Sequence, residues 1–421
     1  SECLVGSEMC IRDREDGDIA IIGISAKIPG CDNLDEFWDN LCNQNSCSKL
    51  IDRWDMSEYY DDEIGRNGKT YCQYGCFLDD ISSFDPQFFH IAKTEAETID
   101  PQERLFLQEA WNAVVNAGYT KESIDRNTGV FVGVTTSSYR YVGYEESLMG
   151  IPTHTSTSFA SIANRVSYIL DLRGPSMPVD SMCSSTISAI HMACQEIKLG
   201  HCNMAIAGGV NVYSHPMALV NLSKLKLLSN DEKTRSFCEG GLGFVPGEAV
   251  GAIILKPLNA AKKDGDYIYA VIKGSAAGHI GRTNAYFSQN PIRQADIIEQ
   301  AIKDANIPKE SISYIETATT GTEINDSIEI ESLNKVFQNI GIQEHSVAIG
   351  SVKPNVGHAE AASGIDQVIK VIMQLKHKKY APTKLFGTLN KKMRLEHSAL
   401  YVVEQVEEWK KKQVSDKVYP R

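Results

Sequence analysis

Residues 179–185 read Val-Asp-Ser-Met-Cys-Ser-Ser, and Ile187, Ile190, Cys194 and Ile197 follow. That spacing marks one mostly buried stripe of an α-helix. It puts Cys183 at or near the first turn, where unpaired backbone N–H groups favour negative charge. A thiol there is expected to have a depressed pKa and to act as a nucleophile. The plainer reading of the same position is a buried, inert cysteine.

Two later stretches carry comparable chemistry. Residues 351–358 read Ser-Val-Lys-Pro-Asn-Val-Gly-His and lead into Ala361, Ala362, Ser363, Ile365, Val368, Ile369 and Ile372. Glycine permits a tight strand-to-helix entry, and small residues permit close packing. His358 falls at the helix start in this reading. There it can donate to a thioester carbonyl or steady a thiolate, although for this position alone a packed, satisfied histidine is the commoner reading. Residues 316–322 read Glu-Thr-Ala-Thr-Thr-Gly-Thr, which taken alone is an ordinary turn after a strand.

Outward from these motifs the chain alternates short apolar runs with helical periods. Strands are expected at 18–24, 129–134, 204–210, 249–255, 312–315 and 347–349. Helices are expected at 33–41, 100–117, 294–305 and after Gly357, with Pro101 in a first-turn position. The segment 267–274 is expected to begin a second βα series. This alternation implies a mostly parallel, layered α/β core.

The 421 residues carry a net charge of -12 and are 42% hydrophobic and 23% charged. Such a chain can bury a large core. Lys and Arg are dense only at 376–379 and 410–412, which argues against nucleic acid as a partner. Apolar runs such as 250–255 are too short to span a membrane. The eleven cysteines show no metal-ligand spacing. Cys72 and Cys76 come nearest, without a second pair or a histidine cluster, so no metal is expected. Free thiols in a reducing cytoplasm are the simpler reading. Residues 1–17 read as a non-native or disordered leader.

Together the motifs resemble, in order and from about Asp18 to Arg421, the ketosynthase domain of modular polyketide synthases. Asp100-Pro-Gln-Glu-Arg104, Gly208-Gly-Val-Asn211 and Gly243-Phe-Val-Pro-Gly-Glu248 support the likeness. The stretch 68–77 is similar to the trans-acyltransferase branch. The resemblance implies the thiolase fold, with two related βα halves in a five-layer α-β-α-β-α core. It implies an N-terminal half at 18–260 with the active cysteine. The C-terminal half is then 261–421, its final glycine-rich strand expected to be missing through truncation. It implies a homodimer with neighbouring synthase domains. Its substrates ride on the phosphopantetheine arm of an acyl carrier protein, with no tightly bound cofactor.

By the same resemblance Cys183 is the acyl-accepting nucleophile, His358 the second catalytic histidine and Lys353 its supporting lysine. Thr320 and Thr322 contact the phosphopantetheine arm. Two further departures from the family pattern stand in the chain, the first of which bears on mechanism. The usual EAHGTGT loop is here ETATTGT, so Ala318 stands where the first catalytic histidine belongs. Thr319 and Thr320 are weak donors, and His345 has no reason to point inward. Cys238 stands where an acidic residue is common. Met182 and the loop 139–157 are expected to shape the pocket. Losing one donor to a developing oxyanion costs about 100- to 1000-fold, so condensation should suffer more than acyl transfer. The expected function is therefore a non-elongating, transacylating ketosynthase. A full condensing enzyme and a non-catalytic carrier-docking scaffold are the alternatives.

Overall fold

The computed structural model describes residues 17–151, 155, 157–285, 288–337, 343–414 and 417–419. The leader assigned to residues 1–17 lies outside them, apart from Gly17. The core strands are β1 (Ile19–Lys27), β2 (Thr128–Gly133), β3 (Ser176–Val179), β4 (Met204–Asn211), β5 (Ala249–Pro257), β6 (Ala270–Ile272), β7 (Tyr314–Glu316), β8 (Val347–Gly350) and β9 (Leu400–Val402). The packing helices are α1 (Leu34–Cys42), α2 (Pro101–Asn116), α3 (Phe159–Leu170), α4 (Ser185–Lys198), α5 (Pro291–Ala305), α6 (Glu323–Phe337) and α7 (Ser363–His377).

Period-2 alternation decides which face each strand residue joins. In β1, Ala20 and Ile22 enter the cluster under α2 and α3. Ile19 and Ile21 enter the opposite cluster, with α1, α4 and α7. The β1–β5 register shifts between Ile21 and Gly23, and this bulge returns Ile24 to the second face. Helix ends follow local chemistry. The Asn33 side chain accepts from Glu36 N at 2.9 Å, and Asp100 accepts from Gln102 N at 2.9 Å ahead of Pro101.

The first sheet runs β3-β2-β4-β5-β1-β6 and the second β9-β8-β7. Val347 and Ile349 of β8 face α5 and α6. Ala348 between them faces Val371 and Leu375 of α7. The layers are therefore α2/α3, first sheet, α4/α7, second sheet, α5/α6. This is the five-layer thiolase fold that the resemblance implies.

Two expectations need correction. The first sheet is mixed, because β5 is antiparallel to both β4 and β1. Asn211 pairs with Ala249, so the chain leaves and re-enters at the same end of the sheet instead of crossing a face. Residues 270–272 do not open the second series either. They complete the free edge of β1, pairing with Ile19–Ile21.

The sheet also shapes the ground on which the Cys183 helix stands. Gly133 of β2 pairs with Gly209 of β4. A β-carbon at Gly133 would lie 2.4 Å from Thr186 N, and one at Gly209 would lie 1.9 Å from Thr186 Oγ1. The first turn of α4 thus rests on bare backbone. Thr186 Oγ1 then donates to Ala361 O at 2.5 Å, tying α4 to the turn before α7. Gly133→Ala should cost roughly 1–3 kcal/mol by overpacking and lift this turn. Thermal unfolding together with Cys183 alkylation checks it, and an unchanged melting temperature would contradict the role given to the glycine.

Candidate active site

Cys183 lies between β3 and α4, two residues before the helix begins at Ser185. The sequence places it at or near the first turn, and it lies just ahead of that turn. The strand-to-helix bend is tight, and Met182 adopts a left-handed φ of 58°, a strained conformation for a non-glycine residue. Local hydrogen bonds hold that bend. Ser185 Oγ accepts from Ser181 N at 3.0 Å and donates to Met182 O at 2.5 Å. Asp180 Oδ1 accepts from Met182 N at 3.1 Å. From the α7 side, Ser363 Oγ donates to Cys183 O at 3.2 Å. The Met182 side chain is exposed.

Solvent reaches Cys183 in the single chain, yet protein surrounds the sulfur closely enough to desolvate a thiolate. Desolvation and then Glu360 push the thiol up to about 11, against a smaller lowering by Lys353. This reverses the depressed value expected from a helix terminus, because Cys183 stops short of the helix and faces a carboxylate. Glu360 itself accepts from Tyr213 OH at 2.5 Å. Burial raises the Glu360 carboxyl pKa.

His358 does not start a helix. It follows the one-turn helix Lys353–Val356 and Gly357, and precedes the Glu360–Ala362 turn and α7. Gly357 has φ 73° and ψ -170°, a conformation essentially reserved for glycine. The His358 backbone donates to Val245 O at 2.9 Å and accepts from Gly247 N at 2.9 Å. Its ring packs edge-on to Phe244, centroids 4.5 Å apart. Burial and Lys353 hold the imidazole well below its ordinary pKa. The ring is therefore neutral, and buried Nδ1 has no hydrogen-bond partner among the described residues.

Lys353 is buried. Desolvation lowers its pKa, opposed by Glu329, Glu316, Cys183 and Asp366. Sequence reasoning missed the residues that organise this centre. Glu316 pairs with buried Lys370 at 2.8 Å and accepts from Val352 N at 2.7 Å, so β7 grips the entry to the Lys353 helix. Glu329 of α6 accepts from Ala318 N at 2.7 Å while facing Lys353. Asp326 accepts from Thr320 N at 2.9 Å and Phe237 N at 3.1 Å. Ser236 Oγ donates to Thr319 O at 2.7 Å. The only sequence signal for Glu329 and Asp326 was an acidic face opening a helix, which is more often solvated surface.

Ala318 is exposed, and its methyl group offers neither donor nor proton. Thr320 is half-buried. Thr322 forms an isolated bridge with Leu242, and its carbonyl accepts from Asp326 N at 2.9 Å. Cys183, Lys353 and Glu329 thus share one electrostatic neighbourhood, and Glu329 links it to the Ala318 loop. His345 is exposed and bonded to Leu395 O at 3.2 Å. Cys238 is buried against Gly387 O at 3.7 Å. Tyr139–Leu148 is helical, whereas residues 152–154 and 156 of that loop lie outside the described residues.

Such a site suits nucleophilic attack by Cys183, with neutral His358 as a hydrogen-bonding group. With the thiol at about 11, its thiolate fraction grows about tenfold per pH unit below that value. Alkylation of Cys183 by iodoacetamide, scored against Cys183→Ala, should therefore rise in that proportion from pH 7 to 9. A plateau below pH 8 would show the thiol to be activated.

Residues 16–261 match the family model for the beta-ketoacyl synthase N-terminal domain, and residues 269–386 match the C-terminal domain. The chain is 45% identical over 415 residues to polyketide synthase PksL of Bacillus subtilis, covering 96% of this chain and 9% of that protein. It is 44% identical over 397 residues to polyketide synthase ThaG of Burkholderia thailandensis, covering 93% and 7%. The chain thus spans under a tenth of these relatives. Among solved structures, the oxazolomycin ketosynthase domain OzmH KS7 of Streptomyces albus JA3453 superposes with a TM-score of 0.91. It is 40% identical, covering 94% of this chain and 71% of that one. The ketosynthase from module 6 of the bacillaene synthase of Bacillus subtilis 168 gives 0.85 at 38% identity, covering 95% and 68%. A thiol, a neutral histidine and a buried lysine gathered on this five-layer core, with both family models matched in order, make the chain a member of the beta-ketoacyl synthase family and a ketosynthase domain of the polyketide synthase kind.

Proposed function

We propose that this domain is a non-elongating ketosynthase of the trans-acyltransferase branch. Cys183 takes an acyl group from the phosphopantetheine arm of an acyl carrier protein and passes it on without condensation. Thr320 and Thr322 receive the arm, and His358 and Lys353 serve the transfer. The halves divide near residue 260, and the working unit is a homodimer flanked by other synthase domains. Among the described residues no helix is long and apolar enough to cross a membrane, in keeping with assembly-line work in the cytoplasm.

Ala318 is the observation that carries this reading. Its loop is held through the backbone by Glu329, Asp326 and Ser236, and its side chain is a methyl group. Decarboxylating a malonyl thioester builds an enolate, which needs donors aimed at the new charge. Transfer of an acyl group to a thiol needs a nucleophile and one oxyanion site, and tolerates the loss better.

Intact mass should show an acyl adduct on Cys183 after exposure to a carrier-bound or small-molecule thioester, and none on Cys183→Ala. Carbon dioxide release from malonyl carrier protein should stay at background, about 100- to 1000-fold below a histidine-bearing domain. Ala318→His should raise it. Brisk decarboxylation by the unmodified chain would overturn the proposal. Absence of any adduct would favour a docking scaffold.

A further inference from the structure

An open cavity of about 500 Å³ lies between the loop after β1, helix α1, residues 45–47 and the one-turn helix Lys353–Val356. Lys384 lines it as well, and buried Phe37, Leu41 and Val356 supply the apolar part of its wall. Its volume falls within the range of about 300–1,000 Å³ common to small-molecule sites. Neither Cys183 nor His358 lines it.

Three asparagines along the wall are bonded in series. Asn355 Nδ2 donates to Asn45 O at 2.7 Å, Asn45 Nδ2 to Asn40 Oδ1 at 2.9 Å, and Asn40 Nδ2 to Gly30 O at 2.9 Å. A backbone carbonyl only accepts, so the Asn355 amide is fixed with its nitrogen toward Asn45 and its oxygen turned away. That oxygen, Oδ1, is buried and has no hydrogen-bond partner among the described residues. Buried side-chain acceptors are seldom left unpaired. The wall therefore presents a fixed acceptor that lacks a donor.

The lining carries one charged side chain, Lys384, and no carboxylate. Two other cavities of the chain differ, since Glu331 lines one and Asp296 and Glu299 line the other. In a chain of net charge -12, an acid-free cavity with one ammonium favours an anion. Lys384 Nζ donates to Gln44 O at 2.7 Å and stands 5.2 Å from the Phe386 ring, without an ion pair among the described residues. An ammonium has three N–H groups, so donors remain for a ligand.

We propose that this cavity binds a small hydroxycarboxylate. Its carboxylate meets the Lys384 ammonium, its hydroxyl donates to Asn355 Oδ1, and its short carbon chain packs on Phe37, Leu41 and Val356. A single carboxylate matches the single cation, whereas a phosphate ester brings more charge than one ammonium balances. Binding asks nothing of Cys183, so it stands apart from the acyl-transfer reading.

The test uses the whole chain carrying Cys183→Ala, with 3-hydroxybutyrate as the probe. Ligand-detected NMR should show saturable binding. Cys47 also lines the cavity and is half-buried, so the probe should slow its alkylation by iodoacetamide, read by peptide mapping. Cys42 is half-buried outside the lining and should react at an unchanged rate. Butyrate lacks the donor and 1,3-butanediol lacks the anion, and each should bind at least about tenfold more weakly. Lys384→Met should weaken the probe by a similar factor, and Lys384→Arg should restore it. Glycerol 3-phosphate should bind more weakly than the probe. No protection of Cys47, or butyrate binding as well as the probe, would overturn the proposal. So would a folded Lys384→Met chain that binds normally, or a preference for the phosphate ester. If Lys384→Met fails to fold, the probe series on the parent chain still decides.

Discussion

A pair of glycines facing each other across two strands sets the position of Cys183. Gly133 and Gly209 leave no side chains between the first sheet and the opening turn of the Cys183 helix. Thr186 sits on that bare patch and reaches across to Ala361 O. Ser363, two residues further on, binds the Cys183 carbonyl. The Cys183 helix and the Ala361–Ser363 turn are joined where the thiol is presented. A methyl group on either glycine would separate them, because close-packed interiors transmit even small changes of volume.

Electrostatics at the site follow from burial more than from helix ends. Lys353 and His358 are both taken out of water, and each is driven toward its neutral form. Carboxylates at Glu316 and Glu329 oppose that drift at Lys353 while also binding backbone N–H groups of the surrounding loops. The same side chains thus set charge and shape. Ala318 is held as firmly as a working residue would be, with a side chain that does no proton chemistry. Scaffolding and chemistry are separable at this position, since backbone hydrogen bonds supply the first and the side chain alone supplies the second.

Much of the architecture was legible in the chain. The apolar run from Ile19, Pro101 in the first turn of α2 and the small residues after His358 each carry a local rule that the fold obeys. Failures came where partners are distant. Residues 270–272 look like the start of a new layer but complete the edge of β1, some 250 positions earlier. Cys183 looked like a helix-activated thiol. Its acidic neighbour Glu360 arrives from another segment, and that carboxylate with burial reverses the sign of the pKa shift. Glu329 drew no reading from the sequence, and it is the link between Lys353 and the Ala318 loop.

The sequence by itself determined the family, most element types and the presence of Cys183 and Ala318 in their motifs, because each is a property of short contiguous stretches. Only the tertiary structure decided the thiol's environment, the desolvation of His358 and the acidic supports of the loops. Desolvation and charge coupling depend on distance in space, and residues that lie far apart along the chain supply them.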